Sequence, residues 1–191
     1  EKTSEAQRAG FMQKIQHELT DIQSHLLFFE IEWNKLPESE ALAYLKKPEL
    51  KDDSHYLHKL RLFAPHTLNE GEEKIMSQKA NTGRHAFSRL FDETINNISF
   101  PIELNGKLEK KNESEILNFF HSPDRSLRKK ASLSLAEGLQ TKSHLLTYIF
   151  NMLLADHRTE LKIRKFSHPM DLMNLSNEVE LETVFHLIAS V

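Results

Sequence analysis

The sequence contains no cysteine, only five glycines and six prolines in 191 residues, and no strong charge of either sign, with 25 Lys and Arg against 28 Asp and Glu. Lacking cysteine, it can form no disulfide, thiolate metal site or cysteine nucleophile, and it suits a reducing compartment. The scarcity of glycine and proline favours long helices over a turn-rich β architecture. A net charge of −3 argues against a dedicated nucleic-acid binder, whose domain would usually have a pI above about 9. No apolar run approaches the roughly 20 residues of a membrane span, and the most apolar stretches are broken by His, Asn or Glu. What is present, 39% hydrophobic and 28% charged residues, is enough to bury a core in one large domain or two small ones.

The chain opens on Glu1 with no initiator Met or signal segment and closes at Val191 within an uncapped helical pattern running from Glu178 to Ile188. It reads as a piece of a longer protein. From Met12 the apolar positions run Met12, Ile15, Leu19, Ile22, Leu26, Phe29, Trp33 and Leu36, a heptad seam. That period predicts one long helix, from about Glu5 to Leu36, packed lengthwise against another within a bundle; a dimerising arm is the other reading. Pro37, Pro48 and Pro65 punctuate two shorter helices, Glu38 to Lys47 and about Asp53 to Ala64. Asn69 with Glu72 forms a capping box that opens a helix towards Gly83, and Ala86 to Ile98 follows as an amphipathic helix.

The only strand signal lies between Phe100 and Lys110, where alternation on both sides of Asn105-Gly106 predicts a two-residue hairpin. Asn112 with Glu115 caps a short helix. Ser122-Pro123-Asp124 predicts a helix with a serine cap, ending near Gly138. Thr141 opens a longer helix to about Arg164, and Asn177 with Glu180 caps the last. The expected fold is an all-α helical bundle with a long heptad helix at its N-terminus and one small hairpin near residues 100–110. A boundary, if present, falls at the hairpin, giving regions 1–111 and 112–191.

Chemistry is sparse. His17-Glu18-Leu19-Thr20-Asp21 approaches the zinc-binding His-Glu-x-x-His pattern but lacks the second imidazole, and is better read as a solvated face. His55 and His58, three apart, have no third ligand at a recognisable spacing. Five isolated glycines make no phosphate loop, and no Gly-x-Ser-x-Gly elbow occurs. Arg125, Arg128, Lys129 and Lys130, with Lys110 and Lys111 nearby, form a basic cluster that reads as one helix face balanced by Asp124, Glu113 and Glu115. The Asn-x-Ser triplets at Asn97, Asn112 and Asn174 have no meaning without secretion.

Several segments nevertheless resemble one family. Ala64-Pro65-His66-Thr67-Leu68-Asn69-Glu70-Gly71-Glu72-Glu73 resembles the Pro-His-Thr-Leu-Ser-Glu-x-Glu-Glu signature of the N-terminal domain of oligoendopeptidase F, with Asn69 in place of serine. Ser122-Pro123-Asp124-Arg125-x-x-Arg128 is similar to its Ser-x-Asp-Arg-x-x-Arg helix start. Asn151 to Asp156, followed by Arg164-Lys165-Phe166-Ser167-His168-Pro169-Met170-Asp171, resembles its Asn-x-Leu-x-x-Asp and Arg-Gly-Tyr-x-x-Pro-x-Asp region, with Lys165 and Phe166 replacing glycine and tyrosine. The resemblance covers roughly residues 25–191.

The resemblance implies a nearly all-helical, cytoplasmic zinc metalloendopeptidase that cleaves short oligopeptides in a deep channel. In that family zinc is held by a His-Glu-x-x-His helix and a downstream Glu. None of these residues is in this chain, so it is expected to be the non-catalytic N-terminal portion and part of the channel wall. Its catalytic residues and metal ligands number none, its binding residues are unassigned, and zinc is expected in the parent protein only. Residues 1–111 would be the N-terminal helical domain and 112–191 the start of the peptidase domain. A surface cut from the catalytic half would be apolar and would support self-association. The alternative is a free-standing interaction module using the Met12–Leu36 seam.

Overall fold

A computed structural model describes residues 2–191, with side chains from residue 10 onward. The helices are α1 (Lys2–Lys35), α2 (Glu38–Leu45), α3 (Ser54–Leu62), α4 (Glu70–Ala80), α5 (Arg84–Asn96), α6 (Glu113–Asn118), α7 (Arg125–Gln140), α8 (Ser143–Ile163), α9 (Asp171–Asn177) and α10 (Leu181–Ser190). Strands β1 (Phe100–Leu104) and β2 (Lys107–Lys111) form one antiparallel pair. The fold is all-α with a small hairpin.

The chain forms two compact units, one made of the residues up to Thr82 with His157–Val191, the other of Gly83–Asp156. The division expected at 111–112 is not where these units part. The hairpin lies inside the second unit because Phe100 and Ile102 are its core, fully or almost fully buried with Ile95, Ile98, Ile116 and Ala131.

In the first unit the end of α1 is pinned by α2 and α3. Trp33, Ala41 and Leu57 form a buried cluster. The indole Nε1 of Trp33 donates to Leu57 O at 2.8 Å, and Arg61 Nη1 donates to Trp33 O and Leu36 O, both at 2.9 Å. A guanidinium at these last carbonyls supplies donors where the helix runs out of them, beside the Leu36 N–H that also reaches Trp33 O at 3.3 Å, and it complements the helix dipole.

The heptad seam, in contrast, does not meet a partner helix over its length. Met12, Leu19, Ile22, Leu26 and Phe29 are exposed, and the inner face of α1 is the stripe Thr20, Ser24, Leu27 and Ile31, against α3 and α4. This second row, spaced 4, 3, 4, lies roughly two-fifths of a turn round the helix from the first. Its polar members are satisfied: buried Asn81 Nδ2 donates to Thr20 Oγ1 at 2.9 Å, and that hydroxyl donates to Gln16 O at 2.8 Å. Periodicity shows which faces are apolar but not which face a neighbour takes.

The hairpin turn is as expected. Asn105 and Gly106 both have positive φ, 51° and 75°, and Leu104 pairs with Lys107. This register turns Phe100, Ile102 and Leu104 inward and puts Leu108 opposite Glu103 on the outer face, 75% exposed, so only β1 supplies apolar core.

Three helix boundaries differ from expectation. Asp124, not Ser122, caps α7: its Oδ1 accepts from Ser126 N at 2.8 Å, while Pro123 keeps Ser122 extended and its Oγ accepts from Asp124 N at 3.2 Å. Asn177 ends the separate short helix α9 rather than capping α10, whose first residue follows Glu180. Gly138 does not stop α7. It is buried within the helix, and a Cβ there would overlap the Phe100 ring, so the glycine is what lets β1 lie against α7.

Gly138→Ala is therefore expected to destabilise the chain by about 1–3 kcal/mol through overpacking, against the roughly 1 kcal/mol that alanine gains at an open helical position. Urea unfolding would measure it; a stabilised variant would show that the contact is not the constraint.

Candidate functional site

Two motif segments nearly a hundred residues apart in sequence meet in the first unit. Arg164, just past the end of α8, makes a fork-to-fork pair with Glu73 of α4, Nη1 to Oε1 at 2.7 Å and Nη2 to Oε2 at 2.9 Å. Its Nε donates to Glu160 Oε1 at 3.1 Å, and Nη1 also donates to His66 O at 3.2 Å. The backbone returns the contact: His66 Nδ1 donates to Arg164 O at 2.8 Å, which places a proton on that nitrogen, and Phe166 stacks on the imidazole with centroids 3.7 Å apart.

Local sequence puts each group in place. Pro65 sits in the 3-10 turn Ala64–His66, Thr67 is extended, and Asn69 and Glu72 exchange capping-box bonds at 3.0 and 3.2 Å to start α4. Glu73 then stands on the first turn of α4, where Oε1 also accepts from Leu68 N at 2.9 Å. At the other end α8 closes in a Schellman turn, with Phe166 N donating to Leu161 O and Lys165 N to Lys162 O. Lys165 takes the left-handed conformation, φ 60°, that this turn requires. A glycine would take it without strain. Asp171 Oδ2 accepts from Ser167 N at 3.1 Å and His168 N at 2.7 Å, holding the following loop.

His66, Glu73, Glu160 and Arg164 border a cavity of about 340 Å³, which Glu30 and Asn34 of α1 and Leu172 of α9 also line. Burial works to raise the Glu73 carboxyl, but hydrogen bonds from Arg164 and Leu68 N, with the guanidinium charge, outweigh it and hold the group below the ordinary carboxylate value. The bonds to Glu73 likewise push Arg164 up. Glu30 is raised, first by burial and then by the negative charge of Glu73. Four of the five guanidinium N–H donors are taken by protein acceptors, so the arrangement clamps two segments together.

The residues weighed in the sequence lie elsewhere. His17 is exposed, and Glu18 pairs loosely with Lys14 at 3.9 Å. His55 Nε2 donates to Glu178 Oε2 at 2.7 Å, Lys59 meets the other oxygen at 3.1 Å, and His58 is exposed. In the basic cluster, Arg128 donates to Ser122 O and Pro123 O, Lys130 approaches Glu103 at 3.5 Å, and Lys111 pairs with Glu109 and Glu115. Zinc, the metal implied by resemblance, fits none of these: the donors are committed or isolated, and among the described residues no three His, Asp or Glu side chains converge. No helix among them is long and apolar enough to cross a membrane.

The segment that holds His66, the Asn69 cap and Glu73 decides the comparison with known proteins. Residues 32–100 match the family model of oligopeptidase F. The matched segment contains one side of the clamp, and Arg164, the other side, lies beyond it. Two solved structures share the fold. Oligoendopeptidase-F from Enterococcus faecium superposes with a TM-score of 0.71 at 20% identity, covering 84% of this chain and 32% of its own. A protein of Chlamydophila abortus described as a peptidase candidate gives 0.70 at 22%, covering 85% and 28%. This chain therefore spans about a third or less of either. No curated protein matches it.

Glu73 and Arg164 both stand in segments that resemble the family, yet no local pattern in either segment links them, because the contact spans 91 residues. The left-handed turn at Lys165 had a signal: glycine is the residue the resembling family carries there.

Glu73 contributes stability that is present above the ordinary carboxylate value of 4.5 and is lost as pH falls through its lower folded-state value. Glu30 has the opposite sign, because its ionised form at neutral pH is disfavoured by folding and protonation at low pH relieves that cost. Urea titrations across pH should show Glu73→Gln costing about 2–4 kcal/mol at neutral pH, with the loss shrinking in acid, and Glu30→Gln stabilising at neutral pH only. A pH-independent loss in Glu73→Gln would mean that packing, not charge, matters. Lys165→Gly should raise stability by about 1 kcal/mol in the same assay, and an unchanged midpoint would show the turn to be unstrained.

Proposed function

We propose that this chain is the non-catalytic N-terminal portion of an oligopeptidase F-type zinc metalloendopeptidase that cleaves short oligopeptides in the cytoplasm. The observation that carries the reading is the match over residues 32–100, which covers one side of the clamp in a fold shared with an oligoendopeptidase-F. Helices held by clamps of this kind make a stiff wall, and a stiff wall beside a narrow channel admits flexible peptides while excluding folded chains. The chain's contribution to the reaction is then a size filter, and the parent's zinc and water-activating carboxylate belong to residues outside these 191. Exposed Phe185, Leu187 and Ile188 on α10 fit a face that the rest of such a peptidase would cover.

The test compares the 191-residue chain with its intact parent on a quenched fluorescent peptide and on a folded protein. The parent should cut only the peptide and stop when zinc is chelated, whereas the 191-residue chain with added zinc should cut neither. Zinc-dependent cleavage by the short chain, or a parent gene with no His-Glu-x-x-His, overturns the proposal.

A further inference from the structure

The outer row of α1 leads somewhere. Leu19, Ile22, Leu26 and Phe29, all exposed, run along the helix to a cavity of about 450 Å³ walled by Phe29, Trp33, Tyr44, Leu50 and Tyr56. Its floor is fixed, since Trp33 is buried, bonded to Leu57 O at 2.8 Å, and set edge-on to Tyr44. Two carboxylates, Glu32 and Asp53, also line it, and neither is ion-paired with a described residue. The aromatic rim already accepts an ammonium, with Lys47 Nζ 4.4 Å from the Tyr44 ring centroid.

Acids predominate along this face, where Lys47 stands over the Tyr44 ring. Between Lys14 and Lys35, α1 carries no Lys or Arg, and of its acids there Glu30 borders the Arg164 cavity while Glu18, Asp21 and Glu32 remain. A second copy of the chain would bring the same acids against themselves, which disfavours self-pairing. An apolar row edged by carboxylates and ending in an aromatic cavity instead complements a helix with an apolar face edged by cations.

We propose that this face docks a partner's amphipathic helix whose apolar row is flanked by lysine or arginine, with one large apolar side chain in the Trp33 cavity and a neighbouring cation between Glu32 and Asp53. The proposal does not depend on the peptidase reading.

Trp33 is the single tryptophan of the chain and sits at the cavity, so its emission reports occupancy. The 191-residue chain would be titrated with a tryptophan-free helical peptide of leucine heptads flanked by lysine, and with the same peptide carrying glutamate instead. The lysine peptide should shift the emission saturably, more weakly as salt rises, and the glutamate peptide should not. The double variant E32Q/D53N should weaken binding about tenfold, the scale of two exposed ion pairs, and Leu26→Ala should weaken it further, with circular dichroism confirming that each variant keeps its helices. Equal binding of both peptides, an unchanged affinity in E32Q/D53N, or no saturable shift overturns the proposal. So does sedimentation showing a dimer that Leu26→Asp dissolves, since the face would then belong to a second copy.

Discussion

A guanidinium removed from water must find acceptors for its donors, and the first unit is organised round that requirement. Arg164 is mostly enclosed, and its acceptors come from α4, from the turn before it and from α8 itself. A fork facing a carboxylate fixes two distances at once, so the pair sets the angle of approach as well as the contact. Replacing such a pair with apolar side chains is often harmless to stability, whereas removing one partner leaves a charge without compensation. The pair therefore specifies which segments meet more than it strengthens the meeting. The His66 ring, bonded at its edge and covered on its face by Phe166, closes the same contact from the other side.

In the second unit the governing constraint is steric. Phe100 is wholly buried because α7 offers it a residue with no side chain, and the hairpin gains a floor that a two-stranded ribbon lacks alone. Glycine inside a helix is costly, and its place at 138 is explained by the ring above it. Each unit is thus ordered by one close approach, one between charges and one between a ring and a backbone.

Among the described residues of both units, no three His, Asp or Glu side chains converge as metal ligands would. Of the histidines that stand out in the sequence, His17 and His58 are exposed and His55 is bonded to Glu178, and the perturbed carboxyls of Glu30 and Glu73 belong to the clamp. Such a distribution suits a piece that shapes and supports. The exposed carboxylate-edged row on α1 presents both apolar character and charge outward, towards a complementary helix.

The sequence by itself determined what depends on neighbours in the chain. The capping boxes at Asn69 and Asn112, the hairpin turn at Asn105-Gly106 and the helix breaks at Pro37 and Pro65 all follow from bonds or torsions spanning a few residues. The tertiary structure alone decided what depends on residues far apart. Glu73 looks like one acid among several in the first turn of a helix until Arg164 reaches it. Gly138 looks like a stop until Phe100 lies over it. The seam on α1 looks like a core until Thr20 and Asn81 pair on another face. Local torsions are encoded where they act, but a partner 60 or 90 residues away is selected by packing and charge compensation across the whole unit, and no short stretch of sequence contains that information.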